Sequence, residues 1–289
     1  MICVDWGTTR FRAYRMDGAS VLERVEADRG ILHVAGQFAG TLREAVAPWL
    51  AAGETRVLVS GMAGSRQGWV EAPYVSCPAG ADELAAALTP VPFDGAQVLL
   101  APGVSGADPQ GVPEVMRGEE TQVLGEMRRT GPNAVLCLPG SHSKWVRLQD
   151  GRIAGFTTHL TGEAFAALRG HTILGRLMAD GPPDAEAFRN GVERSGDGGG
   201  LLHHLFGVRA LGLLAGLGEQ AAPSYLSGLL IGHEVRAVAP GGPVRLVGAP
   251  ELCRRYAKAV ALCGGNATMG DAEAAAHGMA LIAEQAAWT

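Results

Sequence analysis

Asp5, Gly7, Thr8 and Thr9 sit close together in the run Ile2-Cys3-Val4-Asp5-Trp6-Gly7-Thr8-Thr9-Arg10. A short apolar strand gives way to a glycine and two hydroxyls, and a second strand, Phe11 to Met16, follows. A tight turn of this composition exposes backbone N–H groups and hydroxyls at one point, which suits an anionic phosphate chain. Asp5 would then orient, through water, the magnesium that travels with the phosphates. The same residues also make an ordinary first hairpin with a polar turn, so the rest of the chain has to decide.

Three further segments carry chemistry. In Val115-Met116-Arg117-Gly118-Glu119-Glu120-Thr121-Gln122, the planar fork of Arg117 could bind a carboxylate and either glutamate could take a hydroxyl proton. A solvated helix N-terminus explains the acids equally well. Ser60-Gly61-Met62-Ala63-Gly64-Ser65-Arg66-Gln67-Gly68-Trp69 joins a strand end to an arginine and an indole, parts that suit a polyhydroxylated substrate. A glycine-rich loop with Trp69 in the core is the competing reading. Thr161-Gly162-Glu163 presents another carboxylate, or a helix cap.

These residues need elements to hold them. Val21 to Ala27 completes an antiparallel meander, Phe38 to Ala52 has apolar residues at helical spacing, and Arg56 to Ser60 is a β-branched strand. Asp82 to Leu88 reads as a short helix, Val98 to Leu100 as a strand, and Gly103 to Pro113 as a connection between lobes. Glu119 to Arg129 is helical. The opening pattern then recurs: strand Ala134 to Leu138, turn Pro139-Gly140-Ser141-His142-Ser143, strand Lys144 to Leu148, the turn signal Asp150-Gly151, and strand Arg152 to Thr158. Two such units, roughly 130 residues apart, are too distant for a solenoid. They fit two similar lobes, each offering a phosphate-facing hairpin to a shared cleft. Beyond them, Gly196 to Gly200 reads as a loop, Pro223 to Val238 as an amphipathic helix, Val244 to Val247 as a strand, and Glu251 to Leu262 and Asp271 to Ala287 as helices.

Composition excludes several classes. A chain of 289 residues with 47% hydrophobic and 18% charged residues has ample core for two lobes. A net charge of −5 provides no basic stripe for nucleic acid. No apolar run approaches the ~20 residues of a membrane span, and no basic segment precedes an apolar leader, so a cytoplasmic protein is expected. The five cysteines are odd in number and lack C-x-x-C spacing, and the histidines lack the spacing of a zinc helix, so neither disulfides nor a structural metal are expected. P-loop, G-x-S-x-G and G-x-G-x-x-G patterns are missing from the places where they would carry function. Helices rich in alanine and leucine could supply a homodimer surface.

The paired hairpins, junction helix and terminal helix resemble the sugar kinase/Hsp70/actin superfamily. Within it, Val4 to Thr9, Val115 to Gln122, Leu138 to Val146, Thr161 to Glu163 and Ser227 to Gly232 resemble the 2-dehydro-3-deoxygalactonokinase family, in the same order along nearly the whole chain. The resemblance implies an α/β, two-lobe actin-like ATPase (ribonuclease H-like) fold with mixed β-sheets flanked by helices around a central cleft. Residues 1–104 would form the N-terminal lobe and 105–289 the C-terminal lobe, with a terminal helix, 271–288, packing back at the junction.

The resemblance further implies ATP- and Mg²⁺-dependent phosphorylation of 2-dehydro-3-deoxy-D-galactonate at its 6-hydroxyl, in galactonate breakdown. A kinase of another sugar acid or hexose, or a non-catalytic ATPase of the same fold, are the alternatives. By position Glu119 would be the general base, with Glu120 next and Asp5 on the magnesium. Gly7, Thr8 and Thr9 would meet the ATP phosphates from one lobe, and Gly140, Ser141, His142 and Lys144 from the other. Gly248 would admit the adenosine. Arg12, Arg66, Trp69, Arg117 and Glu163 would face the sugar acid.

Overall fold

Along the first strand, β1 (Ile2–Trp6), Ile2, Val4 and Trp6 alternate with Cys3 and Asp5, and this alternation sends the two sets to opposite faces of the sheet. The computed structural model describes residues 1–288. The chain divides into two units, one of residues 1–134, 146–157 and those from 271 onward, the other of residues 135–145 and 158–270.

In the first unit β1 pairs antiparallel with β2 (Phe11–Asp17), which pairs with β3 (Ser20–Ala27). Helix α1 (Phe38–Ala51) leads to β4 (Arg56–Gly61), which lies parallel to β1. The short β5 (Tyr74–Ser76) and α2 (Ala81–Ala86) precede β6 (Thr89–Val91) and β7 (Gln97–Leu100), and the six-stranded sheet runs β3-β2-β1-β4-β7-β6. Ile2, Val4 and Trp6 enter a buried cluster with Phe11 of β2 and Leu42 and Trp49 of α1. Next come β8 (Gly103–Ala107), β9 (Pro113–Met116) and α3 (Glu119–Thr130).

The opposite face of the sheet is met by α9 (Ala274–Glu284), the last helix of the chain, and α3 packs on α9. These two helices cross closely. A Cβ on Gly125 would lie 1.9 Å from the Ala274 carbonyl oxygen, and one on Gly278 would lie 1.7 Å from that of Thr121. Only glycine permits this approach.

The second unit repeats the scheme. Strands β10 (Ala134–Leu138), β11 (Ser143–Gln149) and β12 (Arg152–His159) begin a sheet ordered β12-β11-β10-β13-β14. Residues 146–157 of its β11–β12 hairpin count with the first unit. Helices α4 (Thr161–His171), α5 (Ala185–Arg194), α6 (Gly200–Leu214) and α7 (Ala222–Val238) come before β13 (Val244–Leu246), α8 (Pro250–Leu262) and β14 (Ala267–Met269). Strands β10, β13 and β14 are parallel, as β1, β4 and β7 are. Each sheet is thus an antiparallel meander extended by parallel strands from its first member, with the antiparallel β6 closing the edge of the first sheet. The fold is the two-unit, mixed α/β actin-like ATPase fold.

Several elements differ from expectation. Gly103 to Pro113 is not a bare connection: β8 pairs with β5 and β9 in a three-stranded sheet and buries Val104 completely. The expected lobe boundary at 104/105 falls inside the first unit, which also holds α3 and α9. The final helix begins at Ala274, because Asp271 accepts from the Glu273 N–H at 3.0 Å and holds the preceding residues in a turn. Helix α7 is buried nearly all round, not amphipathic, since α4, α5, α6 and α8 all pack on it. Among the described residues no helix is long and apolar enough to cross a membrane.

Candidate active site

In the first unit, the turn between β1 and β2 is tied down by its own backbone. Gly7 N–H donates to Arg10 O at 2.9 Å, while the carbonyls of Thr9, Gly7 and Thr8 accept from Gly30, Ile31 and Leu32 at 3.0, 3.1 and 3.2 Å. The Gly7 N–H is therefore spent within the turn. Thr8 and Thr9 remain exposed at its tip.

Asp5 lies just behind the turn, with its side chain 17% exposed and its Oδ2 accepting from Arg12 Nη1 at 3.3 Å. Burial pushes its carboxyl above the ordinary range, and Arg12 pulls the other way. Arg12 is also 3.5 Å from Glu26, so its charge is shared between two acids. Among the described residues no group of three or more His, Cys, Asp or Glu side chains could cage a metal. One carboxylate beside the turn nonetheless fits a magnesium that arrives on phosphates and keeps most of its waters.

Asp5 pairs in register with Ser60 of β4, so both side chains leave the same face of the sheet. That face meets the N-terminus of α3. The Ser60 hydroxyl donates to Glu120 Oε1 at 3.2 Å, and Gly118 N–H donates to Glu120 Oε2 at 2.7 Å. Glu120 is wholly buried, and desolvation, helped by the charge of Glu119, pushes its carboxyl up to about 8. The positive end of the helix favours a carboxylate there, but burial outweighs it. Glu119 is only half-buried, and its Oε2 accepts from Arg117 N–H at 3.0 Å. Both acids thus bind the backbone that enters α3, where Gly118 adopts φ +105°.

Arg117 reaches from this corner to β5. Its Nη2 donates to the carbonyls of Ala72 and Pro73 at 2.8 and 3.4 Å, and its guanidinium lies 4.3 Å from the centre of the Tyr74 ring. Nε and Nη1 are buried without a hydrogen-bond partner. Buried donors left idle are costly, and an anionic group would relieve them. Gly64 lies close by, since a Cβ there would sit 3.0 Å from Arg117 Nη1. The Ser60–Trp69 segment and Arg117 therefore meet, and Glu119 bonds the Arg117 backbone. Arg66 stands apart, exposed and without a hydrogen bond or ion pair among the described residues. Trp69 stacks on Phe38 at 6.1 Å and meets Trp6 and Phe93 edge-on, so most of its indole belongs to the core.

In the second unit, the turn between β10 and β11 rests on the first turn of α4. Ser141 O accepts from Glu163 N–H at 3.0 Å, and the His142 ring pairs with the Glu163 carboxylate. A Cβ on Gly162 would come within 2.4 Å of Gly140 O. Ser141 and His142 are exposed, whereas Lys144 is buried and its Nζ donates to His142 O at 3.4 Å.

Beside this turn is a small pocket. Gly140 and Gly162 form one side, Ser227 and Ile231 of α7 its floor, and Arg255 and Tyr256 of α8 the far wall. Three segments singled out in the sequence, at Gly140, Thr161–Glu163 and Ser227–Gly232, converge here. Gly248, at φ +142°, stands at the turn into α8, where a Cβ would be 3.5 Å from Pro139 O.

Sequence reasoning gave no role to Ser60, Glu234 or Tyr256. Glu234 is buried and accepts from Trp145 Nε1 and Tyr256 OH, both at 2.7 Å, and Tyr256 OH lies 2.7 Å from Ser143 Oγ. This network ties the second turn to α7 and α8. An acid late in a largely apolar helix, α7, is the available signal.

The chain matches the family model described as 2-keto-3-deoxy-galactonokinase over residues 5–282. It is 38% identical to a protein assigned as a 2-dehydro-3-deoxygalactonokinase in Rhizobium meliloti (strain 1021), covering 99% of this chain and 96% of that one. It is 36% identical to the 2-dehydro-3-deoxygalactonokinase of Escherichia coli (strain K12), covering 92% and 91%. A crystal structure from Sinorhizobium meliloti, assigned to the same activity, superposes with a TM-score of 0.89 at 37% identity over 98% of this chain and 95% of that one. The activator of 2-hydroxyisocaproyl-CoA dehydratase from Clostridium difficile shares the fold alone, with a TM-score of 0.53 at 11% identity over 98% and 94%.

Proposed function

The chain belongs to the 2-keto-3-deoxy-galactonokinase family, a family of carbohydrate kinases, and on that premise we propose that it moves the γ-phosphoryl group of ATP to the 6-hydroxyl of 2-dehydro-3-deoxy-D-galactonate. The products are ADP and 2-dehydro-3-deoxy-6-phosphogalactonate. The observation that carries the reading is the corner at α3. Arg117, a half-buried arginine with two idle donors, and Glu119, a half-buried carboxylate bonded to the Arg117 backbone N–H, both belong to this corner, and an acidic substrate needs the first as its hydroxyl needs the second.

Arg117 takes the substrate carboxylate. Glu119 accepts the proton of the 6-hydroxyl as its oxygen bonds to the γ-phosphorus and the bond to the β-phosphate oxygen breaks. The transition state is loose, so holding the reactants in line and neutralising charge supply most of the acceleration. Glu120, kept neutral by burial, holds the helix entrance and leaves the proton to its neighbour. In the first unit Thr8 and Thr9 are the phosphate-binding candidates, and in the second unit Gly140, Ser141 and His142 are. The adenosine enters the pocket lined by Ser227, Ile231 and Tyr256. Asp5 would be the carboxylate that holds a magnesium carried by the phosphates, and the ion would supply neutralisation of their charge.

A coupled assay of ADP release tests the proposal. The 2-keto-3-deoxy acid derived from galactonate should turn over and a neutral hexose should not. Absence of turnover with this acid and with its gluconate-derived epimer would overturn it.

A further inference from the structure

The turn between β10 and β11 exposes Ser141 and His142 at its tip, and of these only the imidazole can carry positive charge toward a phosphate. Lys144 does not serve there: it is buried, and its Nζ donates to His142 O at 3.4 Å. Arg255 of α8 lines the pocket beside the turn, but it lies 3.7 Å from Glu251 and shares its charge with that acid.

His142 is held by α4. Glu163, in the first turn of that helix, uses both its backbone and its side chain: its N–H donates to Ser141 O at 3.0 Å, and its carboxylate pairs with Nε2 of the His142 ring. The close approach of Gly162 to Gly140 fixes helix and turn to one another. The positive end of α4 favours a carboxylate in its first turn. Glu163 is thereby engaged in the second unit, whereas Arg117 and Glu119 belong to the first.

This pairing dictates where protons sit. A carboxylate oxygen only accepts, so Nε2 carries a hydrogen, and in a neutral ring Nδ1 is then a bare lone pair. Among the described residues Nδ1 makes no hydrogen bond. A phosphate oxygen is also an acceptor and would be repelled by that lone pair. The ring satisfies the carboxylate and a phosphate together only with a hydrogen on each nitrogen, as imidazolium.

We propose that Glu163 positions His142 as a proton-dependent phosphate donor: nucleotide binding places one proton from solvent on Nδ1, which then donates to a phosphate oxygen. The inference rests on the kinase reading above. No bond to phosphorus forms at the ring, and the proton is released when the nucleotide leaves. Glu163 acts through His142 and is a positioning residue, not a contact of the sugar acid. Because the bound state holds the extra proton, affinity for nucleotide falls as pH rises. Lysine and arginine ordinarily titrate far above neutral pH and glutamate far below it, so among the groups around this turn the histidine is the one to take up a proton near pH 8.

Calorimetric titration of the full chain with MgATP at pH 8, in two buffers of different ionisation enthalpy, counts the protons taken up. Wild type should take up about one per nucleotide, and its Kd should rise by up to about tenfold per pH unit above pH 7.5. His142→Asn should take up almost none, with a Kd that is flat in pH and about 10- to 100-fold weaker than wild type near pH 6.5. Glu163→Gln keeps an oxygen that accepts from Nε2 but loses the charge, and should take up less than about half a proton. Both side chains are exposed, so neither substitution opens the core. Binding without proton uptake, or uptake that persists in His142→Asn, would overturn the inference and leave the kinase reading standing. Full uptake in Glu163→Gln would overturn the role given to Glu163. A wild type that binds no MgATP would overturn the inference together with the kinase reading.

Discussion

The hydroxyl of Ser60, at the end of β4, donates to the carboxyl of Glu120 in the first turn of α3 over 3.2 Å, with neither side chain reaching solvent. Glu119, one residue earlier, is half-buried and bonded to the backbone of Arg117. Two adjacent acids thus occupy opposite environments, and environment is what divides acid and base roles between chemically identical groups.

This division predicts a contrast between two amide variants. Glu119→Gln should lower kcat by about 10²–10⁴-fold, the usual size of general-base assistance, with little change in the KM for ATP. Glu120→Gln should lower kcat less than about tenfold, since a neutral amide can still accept from Gly118 N–H and bond Ser60. Steady-state kinetics at one pH decides between them. A reversed order would move the base to Glu120.

The same burial predicts a pH signature in stability. Folding raises the Glu120 pKa from an ordinary carboxyl value to about 8. Below the unfolded value both states hold the proton and the group costs nothing. As pH rises from about 4.5 toward 8, the unfolded chain ionises first, and the native state loses stability relative to it. Glu120→Gln removes this linkage. Denaturant melts at pH 5 and pH 8 should show the variant gaining on wild type by on the order of 3 kcal/mol between them. Parallel pH profiles for the two proteins would mean that Glu120 is ionised in the native state.

Arg117 has a different signature, because its role is binding. Arg117→Lys keeps the charge but loses the planar fork that spans the Ala72 carbonyl and the Tyr74 ring. The KM for the sugar acid should rise about 10- to 100-fold, corresponding to roughly 1.5–3 kcal/mol for a charge-assisted hydrogen bond. The KM for ATP should stay near wild type. A substrate analogue reduced at its carboxylate should bind wild type and variant alike. Equal losses for both ligands would mean that the carboxylate is bound elsewhere.

The parts of this molecule that could be read from sequence are those written in local pattern. The two hairpins follow from alternation and turn residues, and their shared topology follows once both are recognised. Gly103 to Ala107 could not be read so, because its glycines and alanine become a strand only through pairing with β5 and β9. The pocket of the second unit is a similar case. Gly140, Gly162 and Ser227 stand in recognisable strings, but Tyr256 joins them through a hydrogen bond to Ser143, 113 residues away in sequence. Trp69 looked equally suited to sugar and to core. The stacked Phe38 ring, brought by α1, supplies core neighbours that no local pattern announces.

Gly162 gives the sharpest test of the second unit. A methyl group there would lie 2.4 Å from Gly140 O and 2.8 Å from Ser141 Cα. Both obstacles are backbone, so no side chain can swing aside, and either α4 or the turn from Pro139 to His142 must move. Gly162→Ala should therefore cost about 1–3 kcal/mol of stability, as overpacking does, and should raise the KM for ATP tenfold or more. Calorimetric binding of the sugar acid without nucleotide should be unchanged, because its proposed contacts at Arg117 and Glu119 belong to the other unit. Leu205→Ala, which trims a side chain packed in a separate cluster of the same unit, is the control for lost stability alone. If it lowers the melting temperature equally and raises the ATP KM equally, the turn at Gly140 has no special part in holding phosphate. If only Gly162→Ala affects ATP, the turn and the first residues of α4 act together as the phosphate clamp.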